Sequence, residues 1–399
     1  MDLLIIAPND YDALLKKGVI YQYENYRENN YFENVISLFP FNKKTITTEM
    51  DENKFFYQYG WMGKSEFLNK LKISKILGSF MILLKVFFIF PFIIKKYNIK
   101  VIRATDPYFM GLIGLFYSKL FRIPLLVSVH SDYELCGNAG GQTVRIFGSR
   151  KYAKILEKFV YKKSTEILPI SNYLINQIRL VYPELEMNKF RKFPHGIEVR
   201  DFDLIDKIDI YKEFNIPKDK KLITYVARLS KEKNCLDIPL IASSLKKMMD
   251  DFVILIFGHG GEFEFLKNEL TRLNLVENIR MVGFQSKEMV FNARKMADVN
   301  ICLLDGYSLI EAGLSAKPVV AYDVEWHKEL IVNEESGFLV ELHDYNSFAE
   351  KIFELCFNKE LSQKFGNNLR ELTLKFHSLQ NTQKIKQNIY QDVLERSFR

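Results

Sequence analysis

Phe252-Val253-Ile254-Leu255-Ile256-Phe257-Gly258-His259-Gly260-Gly261 decides the fold. Its first six residues are apolar with no polar alternate, the pattern of a strand covered on both faces. Glycines follow at once, and then a helical pattern over residues 262–273. Outward from this unit the same sequence recurs. Strands over 222–227, 279–282, 299–304 and 318–322 alternate with helices over 236–248, 287–295 and 308–314. Such alternation means βαβ units and a parallel sheet. Toward the N-terminus the logic repeats less densely, with strands at 3–7, 100–103, 125–129, 166–170 and 190–193 and helices at 109–121 and 173–181. Residues 22–62, rich in Asn and aromatics, resist ordering into elements. The polar segment 194–221, which contains Pro217, reads as a linker, and 383–398 as one amphipathic helix. The expectation is an α/β protein of two Rossmann-like domains facing each other across a cleft, with ligands at the carboxyl ends of the strands.

Composition agrees with this size of fold. The chain has 399 residues, 48% of them hydrophobic, enough to bury a core and to exclude a disordered or disulfide-stapled protein. Charge is uneven. Residues 1–200 hold 29 Lys/Arg against 18 Asp/Glu, and residues 54–163 alone hold 19 against 5. A half that basic points to an anionic partner: a phospholipid surface, a phosphorylated substrate or nucleic acid. Cys136, Cys235, Cys302 and Cys356 form no CxxC pair, which fits a reduced, cytoplasmic chain without disulfides or a zinc knuckle. The N-terminal apolar run is too short for a signal peptide and lacks a basic leader. Residues 76–94 are membrane-like, but Lys85 and Pro91 interrupt them. Spanning takes about 20 apolar residues, so a buried or interfacial helix is expected there.

Three strand-to-helix turns carry the chemistry. In Ala227-Arg228-Leu229-Ser230-Lys231-Glu232-Lys233-Asn234, Arg228 and Lys233 flank a loop at a strand end, an anion site suited to a diphosphate; two solvated cations are the bland alternative. In Gly258-His259-Gly260-Gly261, Gly258 and Gly260 allow close backbone approach to a ligand, or form a plain tight turn. A nicotinamide fingerprint is disfavoured because Phe263 stands where the third glycine belongs. In Asp305-Gly306-Tyr307-Ser308-Leu309-Ile310-Glu311, a helix opening near Ser308 and Leu309 offers free N–H groups to a phosphate. Glu311, one turn in, suits a ribose diol or simply faces water. The three turns together describe a nucleoside-diphosphate cleft.

At these residues the chain resembles the donor-binding domain of family 4 glycosyltransferases of GT-B fold. Ala227, Arg228, Leu229, Lys233 and Asn234 match that family's diphosphate-holding segment. Glu311, Ala312, Lys317, Pro318, Val319, Val320 and Ala321 match its ribose-binding glutamate segment, and Gly283-Phe284 its turn beside the nucleobase. More weakly, Val127-Ser128-Val129-His130-Ser131-Asp132 is similar to the strand-end segment whose histidine faces the donor sugar, and Pro194-His195-Gly196-Ile197-Glu198 to the segment before the interdomain linker. The resemblance implies domains at 1–200 on the acceptor side and 201–375 on the donor side, with 376–399 a helix packing back on the first. It implies His130, Arg228 and Lys233 as catalytic residues. Gly258, Gly260, Phe284, Asp305, Gly306, Ser308, Leu309 and Glu311 would bind the donor. One departure is clear: the family's second glutamate, eight positions before Glu311, is Leu303 here, and Asp305 is the nearest carboxylate. The glycine pair of the first loop is also missing, Gly18 being the nearby candidate.

The reaction so implied moves a sugar, with retention, from a UDP- or GDP-sugar to an acceptor hydroxyl in surface polysaccharide or glycolipid synthesis. Arg228 and Lys233 would take the charge on the leaving diphosphate, so no metal or other cofactor is expected. Asp201-Phe202-Asp203 has the D-x-D form of a metal motif but sits in the linker, and the six histidines show no zinc spacing. Expected partners are the nucleotide-sugar, a carbohydrate or lipid-linked acceptor and the cytoplasmic membrane leaflet, which the basic first half would meet peripherally. Leu303 leaves open a catalytically silent nucleotide-sugar-binding protein. A nucleic-acid-binding module is the third reading, without a recognisable motif to support it.

Overall fold

In the computed structural model the described residues are 1–16, 31–42, 44–51, 54–60, 84, 87–138 and 149–397. They build two sheets. The first has seven strands: β1 (Asp2–Ile6), β2 (Val35–Asn42), β3 (Ile46–Asp51), β4 (Lys54–Gly60), β5 (Ile99–Ala104), β6 (Leu125–Val129) and β7 (Glu166–Pro169), in the order β3-β4-β2-β1-β5-β6-β7. The second has six: β8 (Lys221–Val226), β9 (Phe252–Phe257), β10 (Ile279–Gly283), β11 (Val299–Cys302), β12 (Val319–Tyr322) and β13 (Phe338–Val340), in the order β10-β9-β8-β11-β12-β13. Pairing is parallel throughout except between β3 and β4.

β9 shows why. Ile254 and Ile256 enter one core layer with Ile223, Tyr225 and Ile301, while Val253, Leu255 and Phe257 enter another with Leu222 and Ala293. Helices cover both faces, so no position on β9 is left for a polar side chain. β1 behaves alike: Leu4 and Ile6 face one layer, Leu3 and Ile5 the other. That second layer is closed by the last helix, Leu379–Ser397, whose Ile389, Tyr390, Val393 and Leu394 pack on the first sheet.

Two expectations need correction. Residues 190–193 are not a strand. Phe190 makes a single bridge to Ile167, and Arg191 and Phe193 donate to Ile167 and Pro169 at 3.0 and 2.8 Å before Pro194 turns the chain away from the sheet edge. The polar segment 194–221 is not plain linker, since it forms the short helices Arg200–Asp203 and Ile210–Glu213. In it Phe202 is buried against Phe291, and Asp203 pairs with Arg370 at 2.9 Å. The chain crosses between the sheets here and again near Ser378. The two crossings are sewn together by Ile197 N–H to His377 O and Leu379 N–H to Ile197 O, both 2.8 Å. Gly18 and most of 76–94 lie outside the described residues; of the latter, 87–94 are helical.

Candidate active site

The carboxyl ends of both sheets face one cavity of about 410 Å³. His130, Ser131, Asp132 and Tyr173 line it from the first sheet, and Arg228, Lys233, Gly306, Glu325 and Trp326 from the second. Parallel strands all end on the same edge, so residues far apart in sequence meet there.

His130 follows β6 directly. Its ring is open to the cavity and stacks on His195 at 5.5 Å, and His195 in turn meets the Tyr307 ring edge-on at 6.1 Å. Deep placement between the sheets, helped by nearby Arg103 and Lys386, disfavours the imidazolium and lowers the His130 pKa to about 4. The residue is thus neutral at pH 7, a hydrogen-bonding rather than a charged group. His195 is pushed down for the same first reason, burial.

The two cations stand at the end of β8. The Lys233 ammonium donates to Leu304 O at 2.8 Å, and its own carbonyl accepts from the Tyr225 hydroxyl at 2.9 Å. Lys233 is therefore fixed to the loop after β11. Arg228 is more open, its side chain 64% exposed and paired with Glu232. The loops after β8 and β9 are pressed together: Leu229 N–H donates to His259 O at 3.3 Å and Glu262 N–H to Leu229 O at 3.0 Å. A Cβ on Gly258 would lie 2.0 Å from Ala227 O, and one on Gly260 2.2 Å from Leu229 O. These glycines serve that close approach, and Gly258 also holds φ +128°. On the rim His259 stacks on Phe263 at 4.5 Å, with Phe284 at 6.2 Å and largely exposed.

The loop after β11 is clamped from below. His327 Nδ1–H donates to Tyr322 O at 2.9 Å, and Nε2 accepts from Asp305 N–H at 3.0 Å, which fixes a neutral tautomer. Trp326 Nε1–H donates to Asp305 O at 2.9 Å. The Asp305 carboxylate is buried, and its Oδ2 has no hydrogen bond among the described residues. Leu303 is a core residue. In the helix Tyr307–Leu314 the Ser308 hydroxyl accepts from Arg294 and donates to Val226 O, each at 2.7 Å. Leu309 buries its side chain and donates its N–H to Gly306 O at 3.2 Å. Glu311 lies 3.9 Å from Arg294; burial raises its pKa, and Arg294 and Lys287 oppose the rise.

Of the residues singled out from sequence, the cavity brings together His130, Arg228, Lys233 and Gly306. Gly258, Gly260, Phe284, Asp305, Ser308, Leu309 and Glu311 sit around it on the same sheet edge, outside its lining. Asp132 closes the strand-end segment matched from sequence but was given no role there, and Tyr173, Glu325, Trp326 and the supporting Arg294 were missed. Asp132 and Glu325 each follow a strand end, which is the only signal available for them. Among the described residues no three His, Cys, Asp or Glu side chains converge as metal ligands.

Residues 206–372 match the sequence profile described as glycosyl transferases group 1. The chain is 24% identical over 259 residues to an N-acetyl-alpha-D-glucosaminyl L-malate synthase of Bacillus anthracis, covering 64% of this chain and 66% of that one. It is 26% identical over 296 residues to a UDP-Gal:alpha-D-GlcNAc-diphosphoundecaprenol alpha-1,3-galactosyltransferase of Escherichia coli, covering 71% and 73%. Among solved structures, a sucrose-phosphate synthase from Thermosynechococcus elongatus superposes with a TM-score of 0.74 at 16% identity, covering 99% of this chain and 100% of that one.

Proposed function

We propose that this chain, of GT-B fold and matching the group 1 glycosyl transferase profile over residues 206–372, moves a sugar from a UDP- or GDP-sugar to an acceptor hydroxyl. The observation that carries this reading is the fixed ammonium of Lys233 beside Arg228 at the mouth of the second sheet. Lys233, held there by protein contacts, meets a diphosphate without rearrangement, the more exposed Arg228 adds a second cation, and together they stabilise the charge it gains on leaving. They supply the charge that a metal ion supplies elsewhere, so the transfer is metal-independent. Neutral His130 positions the sugar, and transfer proceeds with retention. The relative whose name includes a diphosphoundecaprenol acceptor supports a lipid-linked acceptor here. The test is a nucleotide-sugar panel read by thermal shift and nucleotide release. One UDP- or GDP-sugar stabilises the native protein, and Arg228→Ala weakens that response. Silence toward every donor refutes the reading; binding without any release would make the protein a silent binder.

The acceptor side bears a surface that fits an anionic bilayer. The helix Phe109–Phe121 turns Phe109, Leu112, Phe116 and Leu120 outward. Beside it, helical residues 87–96 expose Phe87, Phe88 and Phe92, with Phe87 ringed against Phe116 at 5.9 Å. On the helix Arg150–Lys163, Tyr152, Ile155 and Phe159 alternate with exposed Lys151, Lys158 and Lys162. Aromatic stripes bordered by lysines bind the headgroup boundary of acidic lipids. No helix among the described residues is long and apolar enough to cross a membrane; the contact we propose is peripheral, at the cytoplasmic face. We expect the protein to float with vesicles containing acidic lipid but not with neutral ones. Phe88→Asp with Phe92→Asp should cut flotation by about tenfold and leave donor binding intact. Unchanged flotation would refute this surface, and binding to oligonucleotides in its place would favour the nucleic-acid reading.

A further inference from the structure

One carboxylate in the cavity has no task in the diphosphate or ribose contacts described above. Glu325 follows β12 and lines the cavity with His130, Asp132 and Lys233. Its backbone sits in the left-handed region at φ +46°, where a glycine would be unstrained and a glutamate is not. The chain holds it there firmly. Asp323 N–H donates to Val340 O at 2.7 Å and His327 N–H to Val324 O at 3.1 Å, while the next two side chains, Trp326 and His327, both grip Asp305. Strain held in place by its surroundings at a cleft points to use rather than accident.

The other acidic groups of the cavity are committed. Asp132 accepts from Glu134 N–H at 2.9 Å, Leu135 N–H at 3.0 Å and the Tyr173 hydroxyl at 2.9 Å. Glu232 is held by Arg228. Glu325 has no hydrogen bond or ion pair among the described residues. Burial raises its pKa, and Lys233 partly offsets the rise. An ionised carboxylate only accepts hydrogen bonds, and the diphosphate, itself an acceptor and an anion, belongs with Arg228 and Lys233. What suits Glu325 is the part of the ligand that donates: the ring hydroxyls.

We propose that Glu325 binds hydroxyls of the donor's sugar and makes the cavity select neutral hexosyl donors over anionic ones such as uronosyl donors. This rests on the donor reading above. It gives the sugar contact to a residue of the loop after β12, in place of the carboxylate absent at Leu303.

The experiment compares wild type with Glu325→Gln and Glu325→Gly, using the nucleotide-sugar identified by the panel, its uronosyl counterpart and the free nucleoside diphosphate. Both variants should raise KM for the neutral donor or lower kcat by tenfold or more, with free nucleoside diphosphate binding within twofold of wild type. Glu325→Gly, which relieves the left-handed strain, should not lower the melting temperature, so its loss of activity cannot be unfolding. Glu325→Gln should narrow the preference against the uronosyl donor. Wild-type activity in both variants overturns the proposal. So does loss of nucleoside diphosphate binding in both, since the residue would then only shape the loop. A wild-type protein that binds no nucleoside diphosphate overturns the donor reading itself, and this proposal with it.

Discussion

Lys233→Ala is expected to lower kcat by roughly 10²–10³-fold, the loss typical of removing one preorganised donor from a site where charge develops. The reason lies in how the ammonium is held. Its bond to Leu304 O at 2.8 Å and the Tyr225 hydroxyl on its own carbonyl fix both ends of the residue before any ligand arrives. No reorganisation is then needed as the diphosphate departs. Arg228 is less constrained: its side chain is 64% exposed and its charge is shared with Glu232. Arg228→Ala should therefore cost less in kcat than Lys233→Ala and show more of its effect in donor KM. The measurement is steady-state kinetics of both variants with the donor identified by the panel. Equal kcat with raised KM in Lys233→Ala would mean that the ammonium binds ground state and transition state alike, and the leaving-group role would fall.

The second sheet was legible because its strands are buried on both faces. β9 predicts itself from residues 252–257, since nothing but apolar side chains fits between two helical layers. The edge of the first sheet was not. β4 carries a fully buried Gln58, which accepts from Tyr11 N–H at 2.7 Å and donates to Lys44 O at 3.0 Å. That polar residue breaks the hydrophobic pattern because it ties the start of the helix Tyr11–Lys16 to the turn before β3, a use that only tertiary structure reveals. The reverse error came at 190–193, where Phe190 and Phe193 on either side of two basic residues look like a strand next to a sheet edge and pair only in part. In the site, Arg228 and Lys233 were readable because any residue just past a parallel strand arrives on the same edge. Glu325 shares that place past a strand end, but its direction into the cavity is set by a positive φ that no residue type announces. Arg294 was not readable. In Arg294-Lys295 it reads as half of a solvated basic pair, yet the helix Lys287–Met296 turns it inward with Phe291, Asn292 and Ala293.

That buried arginine carries the other large effect. Arg294 is 1% exposed, donates to the Ser308 hydroxyl at 2.7 Å and lies 3.9 Å from the Glu311 carboxylate. Arg294→Met keeps the volume but leaves Glu311 without its countercharge and Ser308 without a donor. Breaking a buried pair on one side costs about 3–5 kcal/mol, and a drop in melting temperature should report it. The pH dependence has a definite sign. Burial already raises the Glu311 pKa above its ordinary value, with Arg294 opposing; without Arg294 it rises further. A carboxyl raised in the folded state favours folding while protonated and loses that contribution as pH climbs through its folded pKa. The deficit of Arg294→Met against wild type should thus be larger at pH 8 than at pH 5. Adding Glu311→Gln to Arg294→Met removes the stranded charge and should recover much of the stability at pH 8, while donor affinity stays low if Glu311 holds the ribose. A pH-independent deficit, or no recovery in the double variant, would show that Arg294 acts by packing and the Ser308 bond alone.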